Sequence, residues 1–258
     1  MTRVRVVILR EWLELARQPV MLGAITALFV LLATVVLGAL FLLDWAFGQP
    51  SAGDELLTWF DALGISVTSG AQFSGTVWRI NQFLMCSQTL GISAVLAGHT
   101  VLHDRQCHTL PFMLLAPLRR SELLLGKVVG AMGIPTLLFW GVSLIETLGF
   151  SQVSLLQESG CGAGSLAWWL AVVVGVPMWT AAICGLCALA SALVRDVRTA
   201  QQIVWFLLFF ATLFCGTGLT SCVDQGVWAV IWFSVLGGIA FFATVWVGGV
   251  LLGRDLVV

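Results

Sequence analysis

Charge is what this chain has least of. Only 10% of its 258 residues are Asp, Glu, Lys or Arg, whereas 59% are hydrophobic. Mean hydropathy is strongly positive. Those proportions exclude a water-soluble domain. With so few basic residues there is no dense cationic face, so nucleic acid is not expected as a partner. A Walker A loop is also missing. Gly126-Lys127 is followed by Val128, and Ser121 stands where the first glycine belongs, so the chain has no ATP site of that type. No internal repeat is evident, which removes support for an inverted-repeat transporter. Histidine is confined to His99, His103 and His108. Ser93 and His99 lie on different faces of one helix, leaving no Ser–His pair for hydrolysis. The chain is accordingly not expected to be an enzyme. Nor is a cleaved signal expected at the N-terminus. Arg3, Arg5 and Arg10 are mixed with Glu11 and Glu14, and the first apolar run is too long for a signal h-region.

What remains is a series of long apolar runs. Val20–Leu43, Ile80–His103, Val128–Ile145, Ser159–Val194, Thr199–Val223 and Gln225–Gly253 lack Asp, Glu, Lys and Arg. A helix needs about 20 residues to cross roughly 30 Å of hydrocarbon. Together these runs predict an all-α polytopic membrane protein with spans at 20–43, 80–103, 123–149, 166–194, 199–221 and 227–252. Residues 44–79 are read as one outer segment, with room for a short interfacial helix, because 62–78 are rich in Gly, Ser, Thr and Gln. Eleven of the twelve Lys and Arg fall on one side of these spans, Arg79 alone lying opposite. The positive-inside rule then puts both termini in the cytoplasm, as an even span count also requires. Trp45, Trp168, Trp169 and Trp228 fall near the outer boundary and Trp12 at the inner one, where indole rings settle. Trp140, Trp179 and Trp232 lie inside spans and read as packing residues. Glycine pairs such as Gly237-Gly238 and Gly248-Gly249 permit close helix approach.

Two cytoplasmic segments stand out. Residues 1–19 place Val4, Ile8, Trp12 and Leu15 on one helical face and end at Pro19, a pattern for an amphipathic helix at the membrane surface. The loop 104–122 opens with the charge pair Asp104-Arg105. It carries an apolar patch (Leu110, Phe112, Met113, Leu114, Leu115), breaks at Pro117 and closes with Arg119 and Arg120. An apolar-faced helix in an aqueous loop calls for a partner.

Other candidates are weighed singly. His99, His103 and Cys107 recur at i, i+4 and i+8 and so share a helix face, as metal donors would. Only Asp104 stands near to complete the set, so no metal is expected. Cys184 and Cys187 have redox spacing but lie deep in a span, where thiols are small packing residues. Cys161 and Cys222 both fall on the outer side, where a disulfide is permitted. Glu146 is an acid inside a span, and such a group faces protein or water. With Arg79 and Asn81 at the start of span 2 it is the candidate lining of a translocation path; the alternative is that it snorkels outward.

The chain resembles the permease subunit of an ABC transporter of the type-2 exporter class. In that family the loop between spans 2 and 3 carries an acid–basic pair, Gly-Thr-Leu, then Leu-Leu, a small residue and Pro, then a basic or polar step, Glu-Leu and Gly-Lys. Here Asp104-Arg105, Thr109-Leu110, Leu114-Leu115-Ala116-Pro117, Arg119-Arg120-Ser121-Glu122-Leu123 and Gly126-Lys127 follow that order, with His108 where the family has Gly. Arg195-Asp196-Val197-Arg198-Thr199-Ala200 is similar to the family's second cytoplasmic loop. The resemblance implies an elbow helix at 1–19 and a coupling helix in 104–122. It further implies that Asp104, Arg105, Thr109, Leu110, Met113, Leu114, Pro117, Arg119 and Arg120 dock on a cytoplasmic ATPase subunit. ATP and Mg²⁺ would be bound by that partner and no cofactor by this chain. A second permease, identical or not, would complete the path in a bacterial inner membrane. Any periplasmic accessory protein would meet residues 44–79. The competing readings are a membrane anchor or assembly factor without transport, and a metal-linked membrane protein.

Overall fold

A computed structural model describes residues 2–17, 19–62, 69–106, 120–153, 165–194 and 197–254. Among them the backbone forms eight helical elements and no strand. They are α1 (Thr2–Ala16), α2 (Pro19–Phe47), α3 (Pro50–Ala62), α4 (Gly70–Gln106), α5 (Arg120–Phe150), α6 (Leu166–Leu193), α7 (Val197–Gln225) and α8 (Val227–Arg254). Six of these, α2 and α4 to α8, are long and apolar enough to cross a membrane. The protein is an all-α, multi-pass membrane protein.

Burial is graded across the bundle. α6 is the most enclosed span, followed by α4 and α5, while α2, α7 and α8 lie outermost. The sequence of α6 explains its place. Between Thr180 and Ser191 it is dominated by Ala, Gly, Cys and Ser, and a thin helix admits neighbours on every side. The outer helices instead turn large side chains outward. Trp205, Phe206, Phe209, Phe210 and Phe214 on α7 are all more than half exposed. At about 25 cal/mol per Å² such a face has no stable place in water; in acyl chains it costs nothing.

Two prolines shape the spans. Pro135 lies inside α5, where its ring nitrogen has no hydrogen to give the helix ladder. Pro177 stands in the first turn after a π-helical turn at Ala171–Gly175 of α6. Trp140 Nε1 of α5 donates to the Val172 carbonyl at 2.9 Å. An indole from the next helix thus binds backbone in the irregular turn, which hydrocarbon cannot do. Between α7 and α8 the chain reverses at Gly226, whose φ of 104° favours glycine.

Several expectations need correction. Span 2 begins earlier than Ile80, because α4 starts at Gly70. Ser69 Oγ accepts from the Gln72 amide at 3.2 Å, a helix-capping contact, and the hydroxyls of Ser74 and Thr76 bond back to their own helix. Gly70, Ser74 and Trp78 recur at helical spacing and are buried, so one face of this stretch meets protein, while Gln72 and Thr76 are exposed. The outer segment is therefore shorter than 44–79, and α3 is its helix. Trp168 is not a boundary indole. It is 2% exposed and packs edge-on against Trp78 at 5.5 Å, and Phe150 also meets Trp78 edge-on at 3.9 Å. Trp232 is the reverse case, 68% exposed rather than packed within the chain.

Candidate functional site

The site is built where α1 meets the two helices that carry the 107–119 loop. α1 forms because its polar residues support it locally, Arg10 Nε reaching Glu14 Oε1 at 2.8 Å one turn on. Pro19 then occupies the first turn of α2, where its missing N–H is not needed. α1 lies along α5 in a groove made by three glycines. A Cβ at Gly126 would meet Val7 Cβ at 2.9 Å, one at Gly130 would meet Glu11 Cβ at 2.8 Å, and one at Gly133 would meet the Trp12 ring at 2.7 Å. The contacts advance together along both helices, so they cover about two turns. Trp12 Nε1 closes the groove by donating to the Gly130 carbonyl at 3.1 Å. Val6, Leu9 and Leu13 form a second apolar stripe on α1 that stays exposed, as a helix beside lipid requires.

Charges sit inside this contact. Lys127 Nζ of α5 lies 2.9 Å from Glu11 Oε1 of α1 and also pairs with Asp104 of α4. Arg10 Nη2 reaches the other Asp104 oxygen at 3.3 Å. The side chains of Glu11, Asp104 and Lys127 are no more than 5% exposed. Burial lowers the Arg10 pKa, but the hydrogen bond to Glu14 and the charges of Asp104, Glu14 and Glu11 outweigh it and raise the pKa above its ordinary value. A buried ion set of this kind contributes little net stability, because desolvation offsets attraction. Breaking it is costly, since a lone buried charge remains. The arrangement therefore specifies geometry. Asp104 stands near the end of α4, just before residues 107–119, and Lys127 about two turns into α5 after them, and both are held to α1.

A second polar cluster lies at the other end of the bundle. Glu146 of α5 is 2% exposed, and Asn81 Nδ2 of α4 donates to its Oε1 at 3.0 Å. Glu146 is thus enclosed by protein and does not snorkel. Arg79 does not join it. Its guanidinium points along the surface to Asp224 at the end of α7, 3.4 Å away, with both side chains well exposed. Asn81 and Gln82 are buried one turn along α4 from Trp78. Asn81 Oδ1, Gln82 Nε2 and the Trp78 and Trp168 indole nitrogens have no hydrogen-bond partner among the described residues. Buried polar groups normally have one.

Compared with family models, with curated proteins and with solved structures, the chain matches none.

Of the loop residues singled out by sequence, Asp104 is in the buried ion set. Thr109, Leu110, Met113, Leu114, Pro117 and Arg119 lie outside the described residues, as do Arg195 and Asp196 of the second loop. The side chains of Arg105 and Arg120 are also outside them, and Arg198 is exposed at the start of α7. His99 is exposed on α4, while the His103 side chain and Cys107 fall outside the described set. Among the described residues no three His, Cys, Asp or Glu side chains gather as metal donors. Cys184 and Cys187 are buried free thiols in the core. Cys222 is a free thiol, and Cys161 is outside the described residues.

Sequence reasoning missed Glu11 and Lys127 as a pair. A signal was present. Glu11 sits on the α1 face that also carries Val4, Ile8 and Leu15, an odd place for an acid. The spacing Gly126, Gly130, Gly133 marks one face of α5 as a groove.

Proposed function

We propose that this chain is the membrane-spanning permease subunit of an ABC transporter of the type-2 exporter class. It couples ATP hydrolysis by a partner ATPase to export or mechanical work across the bacterial inner membrane, with both termini in the cytoplasm. The carrying observation is the buried ion set of Glu11, Asp104, Lys127 and Arg10. It ties the end of α4 and the second turn of α5, on either side of residues 107–119, to one helix. A push on that loop would enter α4 and α5 together through fixed contacts. An anchor that only recruits a partner has no need of so stiff a mount. The order of loop residues from Asp104 to Lys127 and the one-sided placement of Lys and Arg support the same reading. Polar groups buried between α4 and α5, Asn81 and Glu146 foremost, fit a path whose other half comes from a second permease.

The test is to purify the chain from its host in mild detergent and identify what accompanies it, then to repeat this with Leu114→Asp. A co-purifying ABC ATPase that is lost with the variant supports the proposal. A wild-type chain that reproducibly carries no ATPase refutes it and favours the anchor.

A further inference from the structure

At the α1 end of the bundle a cavity of about 330 Å³ opens between α1, the first turn of α2 and the last turns of α4. That volume lies in the range of small-molecule sites, roughly 300–1,000 Å³. Its walls are graded. Met21 and Leu96 form an apolar side, belonging to the spans themselves. Glu14, Arg17, His99 and Thr100 form the polar side. Two spans end here, so the gradient runs from acyl-chain depth toward water.

From this arrangement we infer a binding site for a zwitterionic, amine-bearing phospholipid headgroup. Arg17 is exposed and has no ion-pair partner among the described residues. Its guanidinium matches a phosphate in a bidentate fashion. Thr100 donates its hydroxyl proton to the Ala97 carbonyl at 3.1 Å, so it presents lone pairs to the cavity. Glu14, half-exposed and bonded by Arg10 at one oxygen, adds a carboxylate, whereas Glu11, which lines the same space, is taken up by Lys127. Those acceptors suit a primary ammonium with its N–H donors. A choline headgroup has none to give. A purely anionic headgroup could use Arg17 but would bring its charge beside the Glu14 carboxylate and leave that acceptor without an ammonium. The apolar wall of Met21 and Leu96 requires an attached acyl chain, which commits the site to a lipid rather than to a soluble phosphate ester.

The site does not depend on the transport reading, and its test needs no ATPase. The full chain is placed in nanodiscs of phosphatidylcholine containing a minority of phosphatidylethanolamine or phosphatidylglycerol, and the lipid retained on gentle extraction is measured by native mass spectrometry. Phosphatidylethanolamine should be enriched over its share of the disc. Arg17→Ala, which removes no ion pair among the described residues, should lower its retention about tenfold. Glu14→Gln keeps an acceptor for Arg10 but should bring ethanolamine and choline lipids to equal retention. Retention that follows disc composition, a preference for phosphatidylglycerol, or a preference unaltered in both variants would overturn the inference.

Discussion

Lys127→Met is the sharpest probe of the buried ion set. In the wild type Lys127 and Arg10 face Glu11, Asp104 and Glu14, a cluster one negative charge from balance. Removing Lys127 takes from Glu11 and Asp104 a cation they share, both carboxylates being almost fully enclosed. Deleting one partner of a buried pair costs about 3–5 kcal/mol, mostly the penalty of the charge left behind. At roughly 2–4 °C per kcal/mol for a chain of this size, the melting midpoint should fall by about 6–20 °C. Intrinsic fluorescence can follow this in detergent, since the chain has twelve tryptophans and Trp12 sits in the affected groove. The decisive control is the triple variant Lys127→Met, Glu11→Gln, Asp104→Asn. With all three charges neutralised, part of the lost stability should return, because no uncompensated buried charge remains among them. If Lys127→Met melts within about 2 °C of the wild type, the cluster is not the enclosed brace described above. If the triple variant is no better than the single one, the loss was of packing and not of charge balance.

Other perturbations separate the local contributions. Gly130→Ala sets a methyl against Glu11 Cβ and should cost about 1–3 kcal/mol by thermal unfolding, whereas Gly141→Ala, with nothing within 4 Å, should be neutral or gain up to about 1 kcal/mol. Equal effects of the two would mean α1 does not occupy the glycine groove. Glu146→Ala strands the buried Asn81 amide and should cost about 1–3 kcal/mol, while Glu146→Gln keeps a carbonyl acceptor there and should cost less than about 1. A Gln variant as damaged as the Ala variant would point to a role for the charge itself. Arg79→Ala breaks only an exposed pair with Asp224 and should change stability by less than about 1 kcal/mol, an effect that shrinks further in high salt.

Legibility differed by kind of residue. The spans were readable because hydrocarbon imposes a simple demand, a long charge-free helix, and the sequence meets it six times. The start of span 2 was misjudged because Gly70, Ser74 and Thr76 look like loop residues when their partners are unknown. The hydroxyls of Ser74 and Thr76 bond within α4, and Gly70 and Ser74 are buried against protein. Trp168 and Trp232 show the same limit. Depth in the membrane follows from position along the chain, but which way an indole turns depends on the neighbouring helix. The importance of Asp104 was legible as one end of a charged loop. That it pairs with Lys127, beyond the far end of that loop, and with Arg10 near the N-terminus was not, since no short-range pattern links these three positions.

By itself, then, the sequence determined solvent and topology: an all-helical chain of six spans, an amphipathic N-terminal helix, and charge sorted to one side. These follow from composition and order along the chain, which act through burial in lipid and need no knowledge of neighbours. Tertiary structure decided everything that depends on which faces meet. It set α1 into the groove of Gly126, Gly130 and Gly133, enclosed Glu11, Asp104 and Lys127 together, turned Glu146 to Asn81 and Arg79 away from it, and opened the cavity beside Arg17. Helix rotation and pairing are set by side-chain fit between distant segments, and the energy of a buried charge depends on the partner that fit supplies.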